Sequence, residues 1–266
     1  MPSVESVDKS FVIVGGPSRS ATDGVSAFLN LHDDVAAYST AGLRPDRKPY
    51  FKDFKDAVKS CQPALSDNNL YNNYLKGKNL SLDIDNAKII VLRRDHGEDT
   101  FEPLKSISDE YLETKLIYSL RRNLFNIFTS QAYNMLPRVE GSCETGRGAP
   151  ITDWQIEQFH RNITRSFEMM AELIEKYPDD ILLVDISHTE DPNFIAERRR
   201  YHQKILDFLG IESSFMQKQW IKELPPSNRR GPGEHESLQA FRLDNLKYTH
   251  TFDYLKDHKV FKMVTL

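Results

Sequence analysis

Short, largely apolar runs recur at Phe11-Val12-Ile13-Val14, Ile89-Ile90-Val91-Leu92, Leu116-Ile117-Tyr118-Ser119-Leu120 and Ile181-Leu182-Leu183-Val184. Each is rich in branched residues and is bounded by Gly, Arg or Asp, the pattern of strands buried on both faces of a parallel sheet. Between them the periodicity turns helical. Val25, Phe28 and Leu29 share one face of a helix that Ser20 or Thr22 can cap and that His32-Asp33-Asp34 ends. Ile156, Phe159, Ile163, Phe167, Met170 and Ile174 fall three and four apart and predict one long amphipathic helix over 153–177. A second amphipathic helix runs from Phe194 to Leu209 and stops at Gly210. Strands alternating with helices predict an α/β fold, a central parallel sheet flanked by helices on both faces.

Two stretches lack such order. Residues 38–86 carry aromatics, Lys and Asn without sustained periodicity, and Pro225 to Glu236 has the composition of a long polar loop. No internal repeat divides the chain, so 1–266 is read as one domain.

Composition narrows the function classes. With 39% hydrophobic and 28% charged residues, the 266-residue chain can bury a large core. Its formal charge of −4 supplies no general field for nucleic acid or an anionic membrane, so an anion site has to be built locally. Neither nucleic acid nor membrane is expected as a partner. The polar N-terminus and the brevity of the Phe11–Val14 run suggest a cytoplasmic protein. Cys61 and Cys143 are too few for a disulfide framework or a zinc cluster.

The chemistry concentrates after the apolar runs. Gly15-Gly16-Pro17-Ser18-Arg19-Ser20-Ala21-Thr22 joins the first strand to the first helix. Backbone N–H groups in such a loop converge on an anion, the helix N-terminus adds positive potential, and Arg19 with the hydroxyls completes a cradle. The loop lacks the Gly-Lys-Ser/Thr ending of a Walker A motif, which disfavours a P-loop kinase acting on a small metabolite.

Taken with this loop, the order of motifs resembles the sulfotransferases that use 3′-phosphoadenosine-5′-phosphosulfate (PAPS). Arg19-Ser20-Ala21-Thr22 matches that family's Arg-Ser-Gly-Thr, with Ala21 for the glycine and Asp23 for a second threonine. His32-Asp33-Asp34-Val35 and Lys48-Pro49-Tyr50-Phe51 follow where the family has His-Pro-Asp-Val and a Lys-Glu segment, but Lys48 stands where many members carry a catalytic glutamate. The second signature, a strand ending in Arg with a hydroxyl eight residues later, fits Arg121 with Thr129 or Arg122 with Ser130. The rival strand end Arg93-Arg94 places Glu102 at the hydroxyl position, where an acid would repel a phosphate. Gly97-Glu98-Asp99-Thr100 then corresponds to the family's Gly-Glu-Lys-Thr/Ser segment, with Asp99 in place of the lysine. Later, Asp191-Pro192 and Phe208-Leu209-Gly210 resemble the family's fold markers.

The resemblance implies the sulfotransferase variant of the P-loop nucleoside triphosphate hydrolase-like fold, with PAPS as donor and its desulfated form, PAP, as product. It implies a 5′-phosphosulfate site from Pro17, Ser18, Arg19, Ser20, Ala21, Thr22 and Asp23, with Arg19 also catalytic. A 3′-phosphate clamp follows from Arg121 or Arg122, Thr129 or Ser130, and a nucleotide-covering loop containing Arg229, Arg230 and Gly231. The segment 38–86 would face a small acceptor bearing a hydroxyl or amine, such as a natural product, and no metal is required. For the base, His96, Glu98 and Asp99 follow a strand, where active-site groups gather in open α/β sheets; Asp46 and His188 are further candidates. The acids Asp46, Asp53, Glu98 and Asp99 would suit a cationic acceptor. Ala21, Asp23, Lys48 and Asp99 also motivate an alternative, a protein of this fold that binds nucleotide without catalysis.

Overall fold

The computed structural model describes residues 9–39, 62–63, 87–94, 96–108, 112–135, 151–186, 195–223 and 232–264. Strands β1 (Lys9–Gly15), β2 (Val35–Ser39), β4 (Ile89–Arg93), β5 (Leu112–Leu120) and β6 (Ile181–Asp185) form a parallel sheet ordered β2-β4-β1-β5-β6. The two-residue β3 (Gln62–Pro63) adds antiparallel to the β2 edge. The helices are α1 (Thr22–Leu29), α2 (Glu98–Ser108), α3 (Leu124–Met135), α4 (Asp153–Lys176), α5 (Ile195–Leu209), α6 (Phe215–Glu223), α7 (Pro232–Asp244) and α8 (Lys259–Val264). A 3₁₀ helix, Leu246–Leu255, lies between the last two.

Alternation along each strand divides the core in two. On β1, Phe11 and Ile13 enter one apolar cluster while Val12 and Val14 enter the other. The same period of two sends Ile90 and Leu92 of β4 one way and Ile89 and Val91 the other. The first cluster is aromatic and large. It draws on Phe101 of α2, Phe128 of α3, Phe159 and Phe167 of α4, Phe241 of α7, Phe252 of the 3₁₀ helix and Phe261 of α8. The second is aliphatic and smaller, closed by Val25 and Leu29 of α1 and Ile205 of α5. Both faces of the sheet are therefore covered, as the apolar runs predict.

The register sets the functional edge. Val14 pairs with Arg93 of β4, Gly15 with Tyr118 of β5, and Leu120 with Asp185 of β6. Because the strands are parallel, the segments after β1, β4, β5 and β6 all leave at one edge. The helix leaving β1 lies on the opposite face from those leaving its neighbours β4 and β5, the topology in which open α/β sheets place their ligand crevice.

Several local readings change. The N-cap of α1 is Ala21, in the left-handed region at φ 59°, and no side chain caps the helix, so neither Ser20 nor Thr22 takes that role. Tyr38 and Ser39 belong to β2 rather than to an irregular segment; Ala36 and Ala37 give this strand too weak an apolar signal to stand out. The proposed long loop over 225–236 ends early, because α7 begins at Pro232. A proline at the first helical position loses no hydrogen bond, so a Pro-Gly sequence that reads as a turn here opens a helix. Helix α4 starts as expected and carries a capping box: the Gln155 N–H donates to Thr152 Oγ1 at 3.3 Å, and the Thr152 N–H donates to Gln155 Oε1 at 2.9 Å. Among the described residues no helix is long and apolar enough to cross a membrane.

Candidate functional site

The loop after β1 is held by close backbone approach. Gly16 and His96 form an isolated bridge, with the Gly16 N–H donating to the His96 carbonyl at 3.0 Å and the His96 N–H to the Gly16 carbonyl at 2.7 Å. A Cβ on Gly15 would overlap the His96 carbonyl, and one on Gly16 would overlap the Ser119 carbonyl and Ser20 Oγ. Gly16 also sits at φ 148°, which disfavours a side chain there. The exits of β1, β4 and β5 thus interlock at the two glycines.

Beyond Gly16 the chain turns back on itself. The Ser20 N–H donates to the Pro17 carbonyl at 3.0 Å. Arg19 and Ala21 are left-handed at φ 75° and 59°, with Ser20 between them. Left-handed residues in such a loop can turn neighbouring N–H groups toward one concavity, an anion nest, and here the Ser20 N–H is already taken by the Pro17 carbonyl. Ala21 is left-handed at a cost that glycine would avoid, roughly 1–2 kcal/mol. The buried Ser20 and Ser119 hydroxyls lie 3.2 Å apart, and Ser119 Oγ donates to the Ser20 carbonyl at 2.9 Å. Pro17 and Thr22 are buried, while Ser18 and Arg19 are half-exposed at the loop's outer turn.

Two distant segments meet this loop. Arg19 Nε donates to Ser130 Oγ on α3 at 3.1 Å, across 111 residues of sequence. At the end of β4, Arg93 Nε forms an ion pair with Asp23 and donates to Thr22 Oγ1 at 3.4 Å. The two hydroxyls on α3 have different partners. Thr129 is fully buried, donates to its own helix carbonyl Phe125 at 2.9 Å and accepts from Arg242 Nε of α7 at 3.3 Å. Ser130, about 100° further round the helix, is the one that reaches Arg19.

The arginines after β5 have different surroundings. Arg122 is 44% exposed and its Nε lies 2.6 Å from Asp185 Oδ2 at the end of β6. Arg121 is half-buried at the same edge. Arg229, Arg230 and Gly231 lie outside the described residues, as do Asp46, Lys48, Asp53, His188 and most of 38–86.

The candidate bases sit in three distinct environments. His96, left-handed at φ 73° and one-third exposed, faces solvent beside the loop, with Nδ1 3.5 Å from Glu98 Oε1. Glu98 is almost wholly buried, and its Oε2 has no hydrogen-bond partner among the described residues. Burial pushes the Tyr118 phenol well above its usual range, with the charge of Glu98 adding to the effect, while a hydrogen bond with Ser166 opposes it. Asp99 is committed elsewhere, pairing with Arg94 Nη2 at 3.0 Å and accepting from Thr100 Oγ1 at 2.9 Å. Arg94 itself is 7% exposed, and its Nη1 has no hydrogen-bond partner among the described residues.

The loop was legible from its residue types. The part played by Arg93 was not, because an Arg at a strand end and an Asp 70 residues earlier carry no sequence signal of contact. No protein-family model matches the chain, and no curated protein sequence matches it.

Proposed function

We propose that the chain is a sulfotransferase of P-loop-like fold, moving the sulfuryl group of PAPS to a hydroxyl or amine of a small acceptor. The observation that carries this reading is the Arg19–Ser130 contact, which joins the loop after β1 to the helix after β5. In the sulfotransferase resemblance these are the segments that hold the 5′-phosphosulfate and the 3′-phosphate. The parallel order β2-β4-β1-β5-β6, with the loop at the central strand, supports the same fold.

The donor is a substrate with anionic groups at two ends, and the residues present suit it. The left-handed turns at Arg19 and Ala21, the first turn of α1 and the Arg19 guanidinium form a cradle for one of them. Ser130, with Arg121 or Arg122, serves the other. In the transfer, the acceptor oxygen or nitrogen forms a bond to sulfur while the bond from sulfur to the bridging oxygen breaks. The acceptor's proton passes to the imidazole of His96, the bridging electrons stay with the departing 5′-phosphate, and Arg19 stabilises the charge that develops there. Glu98 holds Nδ1 of His96 so that the other ring nitrogen is presented to the acceptor. Asp99, engaged by Arg94 and Thr100, is less available to take the acceptor's proton.

The test is transfer of labelled sulfate from PAPS to a panel of phenols, alcohols and amines. Product should form with the wild type and fall by about 10²-fold or more in His96→Ala, with PAP binding retained. Binding of PAP with no transfer to any acceptor would favour a nucleotide-binding protein without catalysis. Magnesium-dependent turnover of ATP would favour a small-molecule kinase.

A further inference from the structure

Asp23 poses a problem for any anion-binding loop. It stands in the first turn of α1, where the helix N-terminus would otherwise offer positive potential, and its side chain is 25% exposed. An uncompensated carboxylate there repels a phosphate or phosphosulfate bound to the same turn. The sulfotransferase resemblance has an uncharged threonine at this position.

The structure supplies a counter-charge from another strand. Arg93 is the last residue of β4, fixed opposite Val14 by the β1–β4 register, so its side chain emerges beside the start of the loop. Its Nε forms an ion pair with Asp23 and lies 3.4 Å from Thr22 Oγ1, and the Arg93 side chain is 17% exposed. Screening by solvent is therefore incomplete, and the pair acts on a nearby anion as one charge of each sign.

We propose that Arg93 is a positioning residue of the anion loop: it neutralises Asp23 and steadies the Thr22 hydroxyl, so that the loop binds an anion despite an acid in its first helical turn. The proposal rests on the reading of this loop as the donor site. It also gives the Asp23 departure a meaning other than loss of function. Arg93 and Asp23 then form a unit that has to change together.

Calorimetric titration with PAP of the wild type, Arg93→Ala, Asp23→Asn and the double variant separates charge compensation from a merely structural role. Removing the arginine leaves a net negative charge and should weaken binding about tenfold at low salt. Asp23→Asn leaves a net positive charge and should tighten it about threefold or more. The double variant should return to within about threefold of the wild type, and the spread should shrink as salt is raised. A structural role would weaken all three variants alike, and that result overturns the proposal, as does wild-type affinity in Arg93→Ala. Should Arg93→Ala not fold, Asp23→Asn decides alone: tighter binding supports compensation and weaker binding refutes it. If the wild type binds no PAP, the donor-site reading itself fails and this proposal fails with it.

Discussion

Two arginine pairs follow two neighbouring apolar strands, and the fold treats them differently. Arg93 and Arg94 at the end of β4 are 17% and 7% exposed and each engages an acid, Asp23 and Asp99. Arg122 at the end of β5 is 44% exposed and pairs with Asp185, itself 11% exposed. The β4 exit is locked against the loop by the Gly16–His96 bridge. The helix after β5 meets the loop through a side chain instead, Ser130 on Arg19. Alike in sequence, the pairs differ in burial: the β4 arginines are largely enclosed, whereas Arg121 is half-buried and Arg122 half-exposed. A dipeptide at a strand end therefore says little about its role until register and burial are known.

The sharpest way to break this comparison is to remove one guanidinium from each pair and measure stability by chemical denaturation. Arg94→Ala deletes a buried side chain and the cavity-filling contacts of its stem, while Asp99, 37% exposed, keeps its Thr100 hydrogen bond, and should cost about 2–3 kcal/mol. Arg122→Ala removes a half-exposed side chain but leaves the Asp185 carboxylate, 11% exposed, without it, and should cost about 1–2 kcal/mol. Equal losses would show that the two exits are energetically alike. A smaller effect sharpens the same contrast from the loop side. Ala21→Gly relieves the left-handed φ of 59° at the α1 N-cap. It should stabilise the protein by about 0.5–1 kcal/mol, the strain released less the added backbone entropy of glycine. A loss of stability would mean that the Ala21 methyl, packed against the aliphatic cluster, outweighs its backbone strain.

Much of this arrangement could be read from sequence where the signal is local. Branched apolar runs marked β1, β4, β6 and the second half of β5, and periodicity marked α4 from its first residue. The first half of β5, Leu112–Lys115, mixes Glu, Thr and Lys and does not read as buried, although Thr114 is fully enclosed. No sequence periodicity marks the 3₁₀ helix or α8, yet Phe252 packs on Phe128 and Phe159, and Phe261 packs edge-on to Phe167. Those aromatics are too widely spaced to form a periodic face, and only the tertiary contact gives them a role. Residue types marked the turn between β1 and α1. That Ser130 rather than Thr129 contacts Arg19 depends on helix rotation, and that Arg93 pairs with Asp23 depends on sheet register. Neither is a property of a short motif.

The central claim is that the loop after β1 and the helix after β5 form one site for a nucleotide with a 3′-phosphate. Calorimetric titration with PAP, against adenosine monophosphate and ATP, on the wild type and on Arg19→Ala tests it most directly. The account predicts binding that depends on the 3′-phosphate and weakens about tenfold or more in Arg19→Ala, as loss of a charge-assisted contact requires. Equal affinity for adenosine monophosphate, or PAP binding indifferent to Arg19, would contradict it.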